Sequence, residues 1–386
     1  MTRVAFMSTY VPQKCGLATY TFHLRQAVHA AKGWKGTDPV VVLTQQPDKP
    51  AEDRILWPLY RHDPHEYKKM ATKINQSDVD VVSLQHEFGI FGGEAGSHIL
   101  TFLDHLKKPL VTTFHTVFER PKPPYMAIQK QIAEKSDKII VMNRKAIRYL
   151  HEAFGIPAEK ICYIPHGTPE PNKAGRAEWR KQWNWEQRNV LLTFGLLSRG
   201  KGLESLLAIL PQVVEKVPNV LYAIVGQTHP EVKKREGEQY REELLKQIEK
   251  SGLGDHVVMI DRYMEESELV KCITACDIYI TPYPGLEQIT SGTLAYAVGL
   301  GRPILTTPYS YATDLLSDYP ELFLDPAEPS SWAQKIISLL ADDSKLAEWG
   351  QKIENIGKTM HWPEIGKQHA ALFAEVGNRA YIQASL

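Results

Sequence analysis

The segment Asp277–Pro308, DIYITPYPGLEQITSGTLAYAVGLGRPILTTP, indicates more about the fold than any other part of the chain. Asp277–Thr281 is rich in β-branched residues and predicts a buried strand, and the prolines and glycine after it predict a loop. Gln288–Gly292 then opens a predicted helix, Thr293–Leu300, which ends at Gly301, and Arg302–Thr306 begins the next strand. This order of strand, loop, helix and strand is typical of a parallel, doubly wound α/β sheet.

The start of this predicted helix has the features of an anion-binding site. Backbone N–H groups at a helix N-terminus lack helical partners, and the helix dipole favours negative charge there. Thr290, Ser291 and Gly292 are small enough for a ligand to approach the backbone closely. An ordinary crossover helix with a Ser or Thr N-cap explains the same residues without a ligand. A phosphate site and a plain crossover therefore both fit this segment.

Length and charge limit the classes of protein that fit. The chain has 386 residues, and its 45 Lys and Arg residues balance its 45 Asp and Glu residues. This length predicts two domains of roughly 150 to 200 residues each, both with full hydrophobic cores. The balanced charge argues against an overall attraction to nucleic acid or to an anionic membrane surface. Any phosphate binding must therefore be local.

Cysteine usage and the N-terminal sequence predict a cytoplasmic protein. The four cysteines, Cys15, Cys162, Cys272 and Cys276, include no CxxC pair, which favours reduced structural thiols over metal ligands. The N-terminal sequence lacks the apolar core of a signal peptide, and the chain contains no long apolar span typical of a transmembrane helix.

Strand-like runs alternate with helical patterns along the whole chain, which predicts two α/β halves with parallel sheets. In the first half, strands are predicted at Val4–Ser8, Pro39–Leu43, Val79–Gln85, Pro109–Phe114, Lys138–Met142 and Lys160–Ile164, with helices at Thr19–Ala31, His98–Lys107 and Ala146–Phe154. In the second half, strands are predicted at Asn189–Phe194, Val220–Val225, His256–Ile260, Ile278–Thr281, Pro303–Thr306 and Leu322–Leu324, and the charged run Lys233–Lys250 is predicted to be an exposed helix. The segment Gly167–Arg188 is predicted to link the halves, whose strand ends are expected to line a central cleft.

Residues that follow the strands of the first half are candidates for ligand binding. Gly16 and Leu17 open a helix after the first strand, where either a ligand loop or a plain tight turn fits. His86 and Glu87 begin a loop that also contains glycine and two phenylalanines, a combination that favours binding over a merely solvated loop. His115 follows another buried strand, and its position favours the cleft over a purely structural role.

Residues that follow the strands of the second half include two cations. Arg199 and Lys201 flank one glycine on a strand-to-helix turn, where a guanidinium fork and an ammonium could meet a diphosphate. A solvated basic loop is the alternative interpretation. Gly226 ends the next strand and is also expected to face the cleft.

Taken in chain order, these features resemble the retaining glycosyltransferases of family 4, which have the GT-B fold. The resemblance rests on Gly16, His115, the turn Arg199–Gly202, Gly226 and Gly301–Pro303, and it covers nearly the whole chain. Ile164–Gly167 is similar to the family's Asn-Gly element, with His166 in place of Asn, and Met360–Pro363 with the amphipathic run Glu364–Glu375 is similar to its last helix.

The resemblance implies two Rossmann-like domains that face a central cleft. Residues 1–170 would form an acceptor-binding domain, with a C-terminal helix at 363–386 packing back on it, and residues 171–362 would form a domain that binds a nucleotide sugar. The partners implied are a nucleoside diphosphate sugar and a sugar or other hydroxyl acceptor, with no nucleic acid. The resemblance implies no cofactor and no metal requirement.

One departure from the family concerns the donor loop. The family usually carries two glutamates eight positions apart, one touching the donor sugar and one the nucleotide ribose. The corresponding positions here are Gln288 and Tyr296, and Glu287 lies one residue early, where it could still serve as the sugar-facing carboxylate. Leu196 stands where the family has an arginine, so Arg199 would have to supply the guanidinium.

The implied reaction is transfer of a hexosyl group with retention, by front-face attack in which the leaving phosphate takes the acceptor proton. Predicted catalytic residues are Glu287, Gln288 and His115; predicted donor-binding residues are Arg199, Lys201, Gly226, Ile289, Thr290, Ser291, Gly292 and Tyr296; predicted acceptor-binding residues are Gly16, Leu17, His86 and Glu87. A GT-B disaccharide phosphorylase and a catalytically inactive sugar- or nucleotide-binding protein are the alternatives.

Overall fold

A computed structural model describes residues 1–46 and 55–384, which form two compact units. The first unit comprises Met1–Gly167 together with the chain from Trp362 onward, and the second comprises Thr168–His361. These divisions lie close to the domain boundaries predicted at residues 170 and 362.

The first unit is built on a parallel sheet whose seven described strands run in the order β3-β2-β1-β4-β5-β6-β7. The strands are β1 Val4–Ser8, β2 Val40–Thr44, β3 Leu56–Tyr60, β4 Val81–His86, β5 Leu110–Phe114, β6 Lys138–Val141 and β7 Ile161–Tyr163. Its first five helices are α1 Gly16–Lys32, α2 Pro64–Gln76, α3 Ile99–His105, α4 Tyr125–Lys135 and α5 Arg144–Phe154. The central strands β1, β4 and β5 are buried along their whole length, which explains their nearly continuous apolar runs.

Strand β3 was not predicted. It contains Pro58, which cannot donate a ladder hydrogen bond and which argues against a central strand. Among the described strands, β3 lies at the edge of the sheet and pairs with β2 alone, where Val42 lies opposite Pro58. An edge position accommodates the missing N–H group, which is why this strand tolerates a proline.

The second unit has a parallel sheet whose five described strands run in the order β10-β9-β8-β11-β12. The strands are β8 Asn189–Phe194, β9 Val220–Val225, β10 Val257–Ile260, β11 Ile278–Thr281 and β12 Ile304–Thr306. The helices are α6 Arg176–Gln182, α7 Leu203–Lys216, α8 Pro230–Glu236, α9 Gln239–Lys250, α10 Glu266–Ala275, α11 Gly292–Gly299, α12 Ser310–Leu315, α13 Ser330–Leu340 and α14 Asp343–Gly357. Both sheets thus match the predicted plan of two doubly wound α/β domains.

The last helix, α15 Trp362–Ala384, packs on α1 and the sheet of the first unit. Its Phe373 meets the ring of Phe6 edge to face at a centroid distance of 6.1 Å. A Cβ on Gly366 would lie 2.4 Å from the backbone oxygen of Ala27, so the two helices approach closely at this glycine. No helix in the described part of the chain is long and apolar enough to cross a bilayer.

Two predictions about secondary structure were wrong. Leu322–Leu324 is not a strand: Pro320 begins a 3-10 turn, and only Phe323 forms a single bridge to Thr306. The charged run Lys233–Lys250 is not one helix, because Gly237 separates α8 from α9 with a φ of 63°.

The helix after β11 begins at Gly292, one residue before the predicted start at Thr293, and Gln288 lies in the loop that precedes it. The carbonyl of Gln288 accepts from the N–H of Tyr311 at 2.9 Å, and its side-chain amide donates to the carbonyl of Thr290 at 3.0 Å. The first of these hydrogen bonds attaches the loop to α12, and the second closes a turn within the loop.

Two glycines in the second unit allow neighbouring loops to come close together. Gly226 has a φ of 137°, and a Cβ there would lie 2.0 Å from the carbonyl oxygen of Gly195. Gly202 has a φ of 60°, and a Cβ there would lie 2.2 Å from the carbonyl oxygen of Pro282. The loops after β8, β9 and β11 are thus held together by backbone contacts that exclude a side chain.

We expect Gly226→Ala to lower the free energy of unfolding by about 3 kcal/mol or more, because the clash with Gly195 adds to backbone strain. Gly252→Ala is the matched control, since Gly252 also has a positive φ, 65°, but open space around it. We expect this control to cost about 1 to 2 kcal/mol, the strain alone. Urea unfolding measures both values, and equal costs would contradict the argument from the close contact.

Candidate functional site

The N-terminus of α11 is the first part of the predicted donor site. Ser291 caps this helix, and its hydroxyl accepts from the N–H of Leu294 at 3.3 Å. Gly292 and Thr293 occupy the first two helical positions, where backbone N–H groups have no partner in the preceding turn. Ile289 and Thr290 precede the cap, so their amides lie in the loop and not in the first turn of the helix.

Lys201 is connected to this helix end by a chain of hydrogen bonds. Its ammonium donates to the Tyr283 hydroxyl at 2.9 Å, and that hydroxyl lies 3.0 Å from the Thr293 hydroxyl. Gly195 leaves the room for the lysine, because a Cβ there would lie 3.3 Å from the Lys201 nitrogen. A cation and the positive end of a helix dipole therefore converge on one locality, which is chemically suited to a phosphate.

Arg199 points to a different neighbour in this structure. Its guanidinium lies 2.7 Å from the carboxylate of Glu243 on α9 and stacks over the ring of Tyr240 at 5.3 Å. Half of the side chain is exposed, at 52%. The structure thus brings Lys201, but not Arg199, to the chain of hydroxyls at α11.

The two predicted sugar-facing residues lie on the surface of the loop before α11. Glu287 is exposed, and its carboxylate has no hydrogen-bond or ion-pair partner among the residues that the structure describes. The Gln288 side chain is exposed as well, but its amide is turned back to the carbonyl of Thr290. Glu287 is consequently the freer of the two to meet a ligand.

Tyr296 is buried on α11, and its hydroxyl donates to the carboxylate of Glu266 at the start of α10. Burial, with this carboxylate beside it, raises the pKa of the Tyr296 phenol. The position at which the family usually has a glutamate therefore holds a tyrosine that is bonded to a glutamate from another helix.

The last predicted donor residue, Gly226, anchors the backbone that follows β9. Its carbonyl accepts from Arg241 on α9 at 2.9 Å, and Arg241 pairs with Asp261 at 2.7 Å. The backbone beyond β9 is thereby tied to α9 and to the loop after β10.

In the first unit, α1 brings its N-terminal turns to the end of β5. Gly16 and Leu17 form the first turn of α1, after an N-cap at Cys15. Tyr20, one turn further on, meets the imidazole of His115 edge to face at 4.9 Å. The predicted acceptor residues Gly16 and Leu17 are thus on the same helix that supports the predicted catalytic histidine.

His115 is held by Gln85, the residue before the end of β4. Its Nε2 lies 2.9 Å from Oε1 of Gln85, and since an amide oxygen only accepts, the ring donates from Nε2. Burial, together with the nearby His166 and His86, lowers the pKa of His115 to about 3. A neutral ring in this tautomer presents Nδ1 as a hydrogen-bond acceptor.

His86 is enclosed by aromatic rings. Phe88, Phe91 and Phe114 lie at centroid distances of 4.8, 5.7 and 5.3 Å from its imidazole. Neither ring nitrogen has a hydrogen-bond partner among the described residues, and burial lowers the pKa of His86 to about 3. The imidazole is therefore kept neutral and away from solvent in this structure.

Glu87, the next residue, accepts from the Thr116 hydroxyl at 2.6 Å and from the N–H of Phe88 at 3.0 Å. Burial raises the pKa of this carboxyl. Glu87 thus connects the loops after β4 and β5, beside His115.

Sequence reasoning missed several residues that these contacts involve: Tyr20, Gln85, Thr116, Glu266, Tyr283 and Thr293. Tyr283 and Thr293 lie inside the quoted segment Asp277–Pro308, and their hydroxyls were a visible signal. Glu266 lies in a different helix from Tyr296, and no spacing in the sequence connects them.

The neutral histidines predict a loss of stability in acid. Between the pKa of an unfolded histidine, about 6.5, and the lower folded value, the unfolded state binds more protons than the native state. Each such histidine should therefore lower the free energy of unfolding by about 1.4 kcal/mol per pH unit as the pH falls below about 6.5.

We expect His86→Phe to make stability less dependent on pH, because it removes one of these groups and leaves an aromatic environment intact. Urea unfolding at about pH 7 and about pH 5 measures the change. Phe114→Leu is the matched control, since it loosens the same ring cluster without removing a titratable group, and it should keep the pH dependence of the original chain. An unchanged pH dependence in His86→Phe would contradict the assignment.

Two family models match the chain. The model described as Glycosyltransferase Family 4 matches residues 15–170, and that described as Glycosyl transferases group 1 matches residues 175–356.

The relatives of this chain share low sequence identity with it. Phosphatidyl-myo-inositol mannosyltransferase from Mycolicibacterium smegmatis is 23% identical over 320 residues, which are 82% of this chain and 76% of that protein. Spore coat protein SA from Bacillus subtilis is 24% identical over 193 residues, 49% of each chain. The GDP-mannose-dependent alpha-(1-6)-phosphatidylinositol monomannoside mannosyltransferase from Mycobacterium tuberculosis is 27% identical over 139 residues, 35% of this chain and 33% of that protein. The match thus spans about half and about a third of the length of the latter two.

Solved structures resemble the whole chain. Sucrose-phosphate synthase from Thermosynechococcus elongatus has a TM-score of 0.77 at 17% identity, over 97% of this chain and 99% of that one. Anabaena Alr3699/HepE in complex with UDP-glucose has a TM-score of 0.72 at 15% identity, over 97% of this chain and all of that one (100%). At such low identity the likeness shows the fold. With the two family models covering both halves, the chain belongs to the family 4 glycosyltransferases and has their GT-B fold.

Proposed function

We propose that this protein is a retaining, metal-independent glycosyltransferase that moves a hexosyl group from a nucleoside diphosphate sugar to a hydroxyl acceptor. The second unit would hold the donor and the first unit the acceptor. The observation that carries the proposal is the convergence of the Lys201 ammonium with the N-terminus of α11, through the hydroxyls of Tyr283 and Thr293.

This arrangement suits the departure of a nucleoside diphosphate. Cleavage of the glycosidic bond places negative charge on the phosphate oxygens, and preorganised donors stabilise that charge most effectively. The Lys201 ammonium and the first N–H groups of α11 are such donors. The leaving phosphate would take the proton of the acceptor hydroxyl in a front-face reaction.

The remaining donor residues can be given specific contacts. Glu287, exposed and without a partner among the described residues, would accept hydrogen bonds from the hydroxyls of the transferred sugar. Tyr296 would act through Glu266, whose carboxylate accepts from its hydroxyl and would take over the ribose contact that the family assigns to a glutamate at this position.

On the acceptor side, His115 presents Nδ1 to a hydroxyl group, because Gln85 accepts the proton on Nε2. Glu87, which accepts from Thr116 beside His115, would bind a neighbouring hydroxyl of the acceptor. Gly16 and Leu17 would contribute the open backbone of the first turn of α1.

The donor classes to be tested come from the names of similar proteins. Alr3699/HepE has been solved with UDP-glucose, and the Mycobacterium tuberculosis relative is described as GDP-mannose-dependent. We expect slow hydrolysis of at least one sugar in a panel of uridine, guanosine and adenosine diphosphate sugars, followed by release of the nucleoside diphosphate. Tight binding of a sugar 1-phosphate without nucleotide binding would instead support a phosphorylase.

We expect Lys201→Met to weaken nucleoside diphosphate binding by about 1.5 to 3 kcal/mol, the usual range for a charge-assisted hydrogen bond. Isothermal titration calorimetry measures the change. Lys216→Met is the matched control, since Lys216 is an exposed lysine of α7 that pairs with its neighbour Glu215. Unchanged affinity in a folded Lys201→Met variant would remove Lys201 from the site.

Arg199→Ala provides a comparison within the same turn. Because Arg199 pairs with Glu243, we expect a smaller loss of affinity than for Lys201→Met. A loss of equal size would mean that the guanidinium leaves Glu243 and turns to the phosphates when the donor binds.

We expect Glu287→Gln to lower turnover while nucleoside diphosphate affinity stays the same, because the carboxylate would contact the sugar and not the nucleotide. Steady-state kinetics and calorimetry separate the two effects. Glu328→Gln, at another exposed glutamate of the second unit, is the control and should leave both quantities unchanged. Full turnover in Glu287→Gln would assign the role to Gln288 or to no side chain of this loop.

A further inference from the structure

Three large apolar side chains are exposed together on the first unit. Phe118, Tyr125 and Met126 are 36%, 39% and 40% exposed, and they lie on the loop after β5 and on the first turn of α4. The other large apolar side chains that are comparably exposed in the described part of the chain, at Leu245 and Leu286 for example, are far from this segment in the sequence. We call Phe118, Tyr125 and Met126 the loop patch.

The two aromatic rings of the loop patch pack on a buried ring. The ring of Phe118 stacks on the buried ring of Phe88 at a centroid distance of 5.8 Å and an interplanar angle of 21°. Tyr125 meets Phe88 edge to face at 4.9 Å and Phe118 at 5.8 Å. Prolines at 121, 123 and 124 restrict the backbone between the two rings. Little conformational entropy would therefore be lost when a partner covers the patch.

Two cations lie within the same loop. Arg120 and Lys122 are exposed, and neither side chain has a hydrogen-bond or ion-pair partner among the described residues. Glu119 is the acidic residue of this loop, and its carboxylate lies 3.8 Å from Arg148. The apolar surface is therefore bordered by positive charge, although the chain as a whole has a formal net charge of zero.

We propose that the loop patch docks the first unit on the surface of an anionic phospholipid bilayer. Exposed aromatic and methionine side chains beside unpaired cations match a bilayer interface, where the apolar groups enter the headgroup region and the cations meet lipid phosphates.

The position of the loop patch indicates a class of acceptor for the proposed glycosyltransferase. This inference rests on the function proposed above. Thr116 binds Glu87, and His115 precedes it, so the loop that carries the patch begins at the proposed acceptor residues. Docking would bring these residues to the membrane surface. The acceptor would then be a hydroxyl group on a lipid or on a lipid-linked sugar.

Co-sedimentation with vesicles tests the docking. We expect the full chain to bind vesicles of equal parts phosphatidylcholine and phosphatidylglycerol, and not vesicles of phosphatidylcholine alone. Replacing both cations, Arg120→Gln with Lys122→Gln, should weaken binding by about fivefold for each charge. Met126→Ser, which removes an exposed side chain without disturbing the ring stack, should weaken it further, and Phe118→Ser with Tyr125→Ser should abolish it.

Leu245→Ser is the matched control, because Leu245 is an exposed apolar residue, 48% exposed, on α9 of the second unit. It should bind vesicles like the original chain. Failure of the original chain to bind anionic vesicles would overturn the proposal. So would equal binding by the variants, equal binding to both vesicle types, or self-association through the loop patch in place of vesicle binding.

Nucleoside diphosphate affinity, measured on each variant, separates this proposal from the function proposed above. The loop patch lies in the first unit and the phosphate site in the second, so affinity should be unchanged in every variant. Absence of nucleotide binding in the original chain would count against the glycosyltransferase proposal alone and would leave the vesicle result standing.

Discussion

The contact between Gly226 and the carbonyl of Gly195 is the constraint on which the second unit's site depends. A side chain at Gly226 would meet the Gly195 carbonyl and separate the loops after β8 and β9, and a side chain at Gly195 would crowd the Lys201 ammonium. Gly202 makes a second such contact with Pro282, at the loop after β11. Three loops are therefore placed by backbone packing, and Lys201 reaches Tyr283 because of that placement.

The first unit places its polar residues by a different means. Parallel strands β4 and β5 end side by side, and the N–H of His115 donates to the carbonyl of His86 at 3.0 Å. Burial among aromatic rings keeps both imidazoles neutral, and Gln85 accepts the ring proton of His115. The cost is sensitivity to acid, since a buried neutral histidine favours unfolding once the pH falls below its unfolded pKa.

Much of the fold could be predicted because parallel strands in α/β domains are buried on both faces and read as apolar runs. Strands such as Val4–Ser8 and Asn189–Phe194 were predicted with their observed ends. Predictions failed where a proline or a glycine interrupts a pattern. The edge strand that contains Pro58 was not predicted, and Gly237 divides the charged run Lys233–Lys250 into two helices.

The sequence by itself determined the two α/β domains, the strand-end position of the candidate residues and the resemblance to family 4, because periodicity, glycine and proline act locally along the chain. Only the tertiary structure decided which of those residues meet. It paired Arg199 with Glu243, bonded Tyr296 to Glu266, enclosed His86 in phenylalanine rings and gathered Phe118, Tyr125 and Met126 on one surface. The first two contacts join residues 44 and 30 positions apart, and all four depend on packing and side-chain direction that no local pattern records.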